Sequence, residues 1–502
     1  MHFQSLPGLA SLIALLGLGA SVDRGSASGS AISVLSSVHV SADEPGTRYV
    51  EPVLAVNPRN PRNLVAAVMV LGERGGVAVY ASQDGGNTWK RAANGPLARP
   101  LFGNGHQDPV VVFDPEGNAY LGTLGDELAI WKSGDGGLSW SEPAVVPGTF
   151  YDRPWLACDR SGSEALRGRI YAVAHRGLTV FDHPGATLIA VSSSRDGGGT
   201  FAFPRLFMPA PEKELINTTG GLLATPDGKL ILMLQGYAPD APRAPLLPSG
   251  RYSTIVSEDG GRTFSKPRPG PAFHVYGHAW EGKSLFGVGG SGLAQDTSSG
   301  AWQRRLYMTW LDAIDGYFRV MAASSGDGGE SWSRPVRVSD SQSATDESTP
   351  AIAVDDQGVV GISWYDRRGD PTDRCYQLFF AASADGGATF SPSRRVAADF
   401  SCPVGRPPAA GAGQGPGAGP DRGAASGPGA GQGPGADPTV DPVNARYRFK
   451  NGGDTQGLVG GPHGSFHLAW INGSAGELQL WATELAVDRS RLAAGPARRP
   501  EP

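Results

Sequence analysis

One eight-residue pattern recurs six times in this chain of 502 residues and constrains its fold more than any other feature. Each copy reads Ser-x-Asp-Gly-Gly-x-Ser/Thr-Trp/Phe. The Asp carboxylate can accept backbone N–H groups of the turn that it begins, and the glycines supply the positive φ that tight turns need. The pattern predicts hairpin turns, each closed by an aromatic side chain in the core. The copies occupy residues 82–89, 133–140, 194–201, 257–264, 325–332 and 383–390.

The spacing of the turns indicates the size of the repeating unit. Successive turn aspartates are 51 to 68 residues apart, which fits four short strands per unit and exceeds the length of helical repeats. Around one turn, for example, apolar segments occupy residues 109–113, 119–123, 128–132 and 144–146. Such units are typical of the four-stranded antiparallel blades of a β-propeller. We interpret the turn aspartates as structural residues: Asp84, Asp135, Asp196, Asp259, Asp327 and Asp385.

Seven such units fit the chain, although the last, at residues 456–483, lacks the turn. Residues 32–40 alternate in polarity and can supply the missing outer strand, so that both chain ends pair in one blade. The sequence therefore predicts an all-β, seven-bladed propeller that forms a single domain over residues 30–488. A six-bladed ring is the alternative if the last unit is only a cap.

The remaining segments differ from this pattern in composition. Residues 1–29 contain an apolar run of the length of a signal-peptide core, followed by small residues, and are interpreted as a signal peptide and leader. No other stretch is apolar enough to span a membrane. Residues 403–440 are rich in Gly, Ala and Pro and are predicted to be a disordered insert, as is the tail at 489–502. The predicted signal peptide indicates that the protein is secreted or located in the periplasm or cell envelope.

The net charge and the cysteine spacing argue against nucleic-acid and zinc binding. The net charge of −5 gives no basic field for nucleic acid, and we expect a monomer. The three cysteines match no zinc pattern. We predict a disulfide between Cys375 and Cys402, which fall on the same face of the propeller, and a core position for Cys158.

The repeated pattern matches the Asp box, or bacterial neuraminidase repeat, and the chain resembles the sialidase-like superfamily over about residues 30–488. For an exo-sialidase, the resemblance implies three arginines that hold a sugar carboxylate, a Tyr nucleophile activated by Glu, and an Asp acid/base. The first arginine normally lies in a Phe/Tyr-Arg-Ile-Pro motif, but this chain has Tyr49-Val50-Glu51-Pro52 there. Because the superfamily also contains endoglucanases, assembly factors and receptors, it indicates the fold more specifically than the activity.

Propeller topology predicts where a site lies. Loops that enter the inner strands and loops that join the second and third strands share one face, opposite the Asp turns, so polar residues there come together. Adjacent arginines beside a tyrosine, as in residues 365–368, suit a sugar carboxylate because Arg binds carboxylates with two hydrogen bonds. Ion pairs that only brace the loop are the alternative. The candidate catalytic residues are Asp108, Asp152, Glu281 and Tyr365, and the candidate substrate-binding residues are Arg153, Arg176, Arg319, Arg367 and Arg368.

Asp108, Glu281 and Asp454 are also placed at the mouth of the central channel. They are candidates for an acid/base pair, for calcium ligands, or for solvated rim charges; no other cofactor or metal is predicted. The leading functional hypothesis is an exported exo-glycosidase of the exo-α-sialidase type acting on a glycan or glycoconjugate. The alternatives are a non-catalytic propeller that binds a glycan or a protein, and an envelope assembly factor.

Overall fold

The computed structural model describes residues 30–71, 75–94, 107–125, 127–148, 152–176, 188–207, 215–217, 221–237, 250–274, 290–402 and 452–492. The strands of these residues form seven separate antiparallel sheets that follow one another along the chain. In five of the seven sheets, strands that are consecutive in the chain pair in order, as in the blades of a propeller. The seven-bladed, all-β prediction is confirmed.

The first three blades have regular four-stranded order from the inner to the outer strand. Blade 1 contains β2, β3, β4 and β5; blade 2 contains β6 to β9; and blade 3 contains β10 to β13. Their bounds are Arg48–Asn57, Asn60–Leu71, Gly76–Ser82 and Lys90–Arg91 for β2 to β5; Gln107–Phe113, Ala119–Leu124, Leu128–Ser133 and Ala144–Val146 for β6 to β9; and Asp152–Cys158, Ile170–Arg176, Leu188–Ser194 and Arg205–Phe207 for β10 to β13.

Blade 4 differs because two short strands share its inner position, each paired with the same second strand. Blades 5 and 6 return to regular order. The bounds are Leu215–Asn217, Leu222–Ala224, Leu230–Tyr237, Gly250–Ser257 and Arg268–Phe273 for β14 to β18; Ser291–Gln295, Leu306–Ile314, Tyr317–Ser325 and Val336–Arg337 for β19 to β22; and Glu347–Val354, Val360–Asp366, Gln377–Ser383 and Arg394–Arg395 for β23 to β26.

Blade 7 joins the two ends of the propeller. Its inner strands β27, β28 and β29 (Gly457–Gly460, Ser465–Asn472 and Gln479–Val487) come from the end of the chain, and its outer strand β1 (Ile32–His39) comes from the beginning. Strand β1 pairs antiparallel with β29 from Ile32 opposite Val487 to His39 opposite Trp481. The predicted pairing of the chain ends is therefore confirmed. A short 3-10 helix, Pro462–Gly464, connects β27 to β28, and a second, Arg489–Arg491, follows β29.

Local hydrogen bonds explain why the repeated octapeptide folds as a hairpin. Oδ1 of Asp84 accepts the backbone N–H of Thr88 at 2.9 Å, and Oδ2 accepts the Thr88 hydroxyl at 2.6 Å. The Ser82 hydroxyl oxygen accepts the N–H of Gly86 at 2.9 Å, where φ is +90°. In blade 3, hydrogen bonds from Thr200 hold the pKa of Asp196 below its usual range. These carboxylates are occupied by their own turns.

Packing between blades explains why the sheets form a ring. Seven apolar clusters of buried residues each join two neighbouring blades, and the turns support them from one side. Gly137, in the turn of blade 2, lies so close to Val65 of blade 1 that an added Cβ would be 2.4 Å from its Cγ2. The predicted disulfide between Cys375 and Cys402 is present, and Cys158 is buried with a free thiol. We call the face with the Asp turns the turn face and the opposite one the entry face.

Candidate functional site

The inner strands of several blades begin with a bulge before a proline. In blade 1 the pairing of β2 with β3 passes from Val50 to Val53, which leaves Glu51 and Pro52 out of register. Blade 2 has the same interruption at Asp108, and blade 6 has it at Thr349. These three residues have left-handed φ values of 57°, 46° and 51°. For residues other than glycine this conformation costs about 1–2 kcal/mol, and bulges that re-aim side chains cluster at functional sites.

A two-glycine segment brings blade 7 against these bulges. The backbone N–H of Glu51 donates to the carbonyl oxygen of Gly452 at 2.8 Å. An added Cβ on Gly453 would lie 2.2 Å from Cγ of Glu51, so only glycine fits there. The Thr349 hydroxyl donates to the carbonyl oxygen of Gly453 at 3.4 Å. Parts of blades 6, 7 and 1 therefore meet within hydrogen-bonding distance.

Carboxylates from three consecutive blades lie at or just before the beginnings of the inner strands, on the entry face. Glu51 is 3% exposed and Asp454, directly after the two glycines, is 5% exposed. Asp108 is half-buried at the start of β6, whose blade follows that of Glu51. We call Glu51, Asp108 and Asp454 the mouth acids. The sequence predicts Asp108 as a catalytic residue and Asp454 as a mouth residue, but it does not show that Glu51 contacts the segment before Asp454.

Arg319 in blade 5, a predicted substrate-binding residue, forms hydrogen bonds to other groups of the chain. Arg319 is 2% exposed, and its guanidinium donates to the carbonyl oxygens of Thr345 and Ser343, both at 2.8 Å. A third hydrogen bond, of 3.2 Å, runs to Asp315. These contacts tie the loop before blade 6 to blade 5.

The adjacent arginines of blade 6 have similar roles. Arg368 forms ion pairs with Asp366 at 2.7 Å and with Asp340 at 2.8 Å, and its guanidinium lies 4.2 Å from the ring centre of Phe379. Arg367 is buried and donates to the Ser348 hydroxyl at 3.2 Å. The contacts match the alternative in which ion pairs brace the loop.

Tyr365, one of the predicted catalytic residues, lies between blades 6 and 7. It is 0% exposed, and its hydroxyl oxygen accepts the backbone N–H of Ile471 at 3.0 Å. Burial raises the pKa of this hydroxyl well above its usual value. A nucleophile must reach the substrate and lose its proton, and both conditions are unfavourable here.

The other predicted residues are described only in part. Asp152 and Arg153 lie in β10, and Arg176 lies at the end of β11, but only their backbone belongs to the described structure. The pairing of β10 with β11 is interrupted between Asp152 and Trp155, as in the bulges of the other blades. Glu281 lies outside the described residues.

A buried carboxyl pair underlies the entry face between blades 5 and 6. Glu347 and Asp366 are opposite each other in the pairing of β23 with β24, and both are 1% exposed. Burial, and next the charge of Asp366, raise the pKa of Glu347 to about 7. The backbone N–H of Val320 donates to Oε2 of Glu347 at 2.7 Å. This pair is sealed from solvent, so we treat it as part of the structural network around Arg319.

Within the described residues, no three or more His, Cys, Asp or Glu side chains are grouped so that they could hold a metal ion. The same residues include no helix long and apolar enough to cross a membrane.

Comparison with known proteins gives distant structural likenesses. No family model matches the chain, and no curated protein matches it. A protein of unknown function from Dyadobacter fermentans aligns with a TM-score of 0.48 and 11% identity over 91% of this chain and 99% of its own. A Hadza microbial sialidase aligns with a TM-score of 0.42 and 15% identity over 88% and 66% of the respective chains. The Penicillium chrysogenum α-L-arabinanase complexed with arabinobiose gives 0.43 and 12% over 76% and 94%. None of these identifies an activity for this chain.

Proposed function

We propose that this chain is a glycan-hydrolysing propeller that acts outside the cytoplasm, with its substrate bound over the channel mouth. The observation that supports the proposal is the approach of Glu51 in blade 1 to the Gly452–Gly453 segment, which directly precedes Asp454 in the chain. Asp108 adds a third carboxylate from the next blade. The disulfide between Cys375 and Cys402 supports an oxidising compartment.

The chemistry of glycoside hydrolysis explains the choice of these residues. One carboxyl group protonates the oxygen of the leaving sugar, while a second carboxylate acts as nucleophile or activates water. Glu51 and Asp454 come from adjacent blades and keep a small exposed surface, 3% and 5%, unlike Tyr365 at 0%. In a site so largely withdrawn from solvent, electrostatic interactions with a transition state are stronger. We assign the acid and the base or nucleophile to these two residues, with Asp108 as a binding group for sugar hydroxyls.

The arginine contacts favour a neutral glycan over a sialoside. An exo-α-sialidase needs free guanidinium groups that hold the substrate carboxylate. Arg319 and Arg368 instead bind carbonyl oxygens and carboxylates of the chain itself. Three carboxylates at the mouth also repel an acidic sugar. The substrate class that fits best is therefore an uncharged oligosaccharide.

A propeller that binds glycans without cleaving them is the second candidate. The burial of Tyr365 favours it, because the nucleophile implied by the resemblance cannot reach a ligand. Both candidates use the same entry face, so one experiment can separate them.

The experiment compares turnover and binding in three proteins. Wild type, Glu51→Gln and Glu258→Gln are tested on aryl glycosides of neutral sugars, on an aryl sialoside and on a glycan array. Glu258 is the matched control, because its side chain is 69% exposed in a turn on the opposite face. We expect neutral glycosides to be cleaved, a loss of about a hundredfold or more in Glu51→Gln, and no change in Glu258→Gln.

Other results of this experiment would support the second candidate or contradict one or both proposals. Binding that depends on Glu51 without any turnover supports the second candidate. Turnover that is equal in all three proteins contradicts the role of Glu51. An array with no bound glycan contradicts both candidates.

A further inference from the structure

His274, directly after the outer strand of blade 4, is fixed by three contacts to blade 5. Its backbone N–H donates to Oδ1 of Asp312 at 2.8 Å, and its ring Nδ1 lies 2.9 Å from the same oxygen. The backbone N–H of Ala313 donates to the His274 carbonyl oxygen at 3.1 Å. The imidazole is therefore held in one orientation by a carboxylate that is itself only 5% exposed.

The hydrogen bond at Nδ1 determines whether the other ring nitrogen, Nε2, is a hydrogen-bond donor or acceptor. An ionised carboxylate only accepts hydrogen bonds, so Nδ1 carries the proton in the neutral ring and Nε2 keeps a lone pair. The His274 side chain is 32% exposed. Among the described residues, no group donates to or accepts from Nε2. The ring thus presents a fixed hydrogen-bond acceptor at the surface.

The equivalent position of blade 6 shows that this arrangement is not a general requirement of the fold. Asp366 ends the second strand two residues after Trp364, as Asp312 follows Trp310 near the end of the second strand of blade 5. Asp366 is enclosed by Arg368 and by the indole N–H of Trp364, which donates at 2.9 Å. In blade 5 the carboxylate instead binds a side chain whose Nε2 has no hydrogen-bond partner among the residues that the structure describes.

The location relates His274 to the proposed substrate site. In a ring of seven blades, blades 4 and 5 are the two farthest from blade 1, which carries Glu51. His274 belongs to the entry face, because it follows an outer strand that runs from the turn face. A ligand that touches both Glu51 and His274 must extend across the channel mouth.

We infer that His274 is a second substrate contact, in which Nε2 accepts a hydrogen bond from a hydroxyl of a glycan chain that spans the mouth, with Asp312 as the positioning residue. The inference rests on the proposed function and makes it more specific. The ligand is an oligosaccharide of several units, since a single terminal sugar at Glu51 cannot reach His274.

The test measures binding as a function of chain length. Arabino-, xylo- and chito-oligosaccharides from disaccharide to hexasaccharide are titrated into wild type, His274→Asn and His463→Asn by calorimetry. Asparagine at 274 keeps an N–H that can reach Asp312 but lacks Nε2. His463 is an exposed histidine on the turn face with a left-handed φ of 56°, a conformation that Asn accepts.

We expect His274→Asn to weaken binding of the longest bound oligosaccharides about tenfold, the effect of one lost hydrogen bond, and to leave disaccharide binding and the His463→Asn control unchanged. Equal losses at every chain length, or no loss, would overturn the inference while leaving the proposed function intact. A wild-type protein that binds none of the ladders contradicts both.

The positioning role of Asp312 has its own spectroscopic measurement. In ¹⁵N-labelled wild type, the neutral form of the His274 ring should show the tautomer with its proton on Nδ1. Asp312→Asn should lose this fixed tautomer, because an amide can also donate to the ring. An unchanged ring spectrum in Asp312→Asn would contradict the role of Asp312 even if the fold is preserved.

Discussion

The α-carbon of Gly453 lies against the side chain of Glu51, so closely that a Cβ there would be 2.2 Å from Cγ of the glutamate. This contact joins blade 7 to blade 1 at the channel mouth. It fixes the position of a carboxylate whose own backbone is in a left-handed conformation, with φ of 57°. The two glycines before Asp454 are thus required by the site as well as by the local turn.

Replacing Gly453 should show how much the close contact with Glu51 lowers stability beyond the strain of a left-handed backbone. Gly453→Ala is expected to lower the free energy of unfolding by about 2–4 kcal/mol, from left-handed strain plus overpacking, and to reduce activity by moving Glu51. Gly46→Ala is the matched control, since its φ of +86° is close to the +84° of Gly453 but no atom lies within 4 Å of the added Cβ. A loss of stability equal to that of the control would show that the contact is unimportant.

Removing the disulfide should destabilise the propeller through the unfolded chain. Cys375 and Cys402 are 27 residues apart, and a loop of this length corresponds to about 3–4 kcal/mol in the chain-entropy model. Cys402→Ser should therefore show a lower midpoint in denaturant titration. Reductant should lower the midpoint of wild type towards that of the variant. A variant as stable as oxidised wild type would contradict the expectation.

Glu347 should make stability fall as the pH rises. Burial raises the folded-state pKa of this carboxyl to about 7, above its usual value of 4.5. The protonated form is therefore favoured in the folded chain, and its contribution, present below pH 4.5, is lost as the pH rises through 7. Glu347→Gln keeps a neutral side chain, so its stability relative to wild type should increase from pH 5 to pH 8. Denaturant titrations at these two values test the sign, and a constant difference would contradict it.

His467 should make the folded chain less stable as the pH falls. This histidine is 6% exposed in blade 7, and burial lowers its pKa from 6.5 to about 4. The unfolded chain binds the proton first, so stability is lost as the pH falls from 6.5 through 4, by about 3 kcal/mol at most. His467→Gln should flatten this part of the stability curve. The same slope in His467→Gln as in wild type would contradict this role of His467.

The individual side chains of the candidate site were harder to predict than the fold. Tyr365, Arg367 and Arg368 form a polar cluster in the sequence that suits a sugar carboxylate. The sequence does not show that Asp340, 28 residues away, binds Arg368, or that Ile471 closes over Tyr365. Burial and pairing of charges depend on neighbouring blades, so a local motif cannot distinguish a binding arginine from a structural one.

The sequence by itself determined the repeating hairpin, because the bonds that define each turn join residues within the octapeptide, such as Asp84 and Thr88, four residues apart. The spacing of the turns indicated four-stranded units and favoured seven blades, closed by the two chain ends, over six. The channel mouth was decided only by the tertiary structure. Thr455 and Pro52 are 403 residues apart and meet there through a hydrogen bond, because closing the ring brings the first and last blades together.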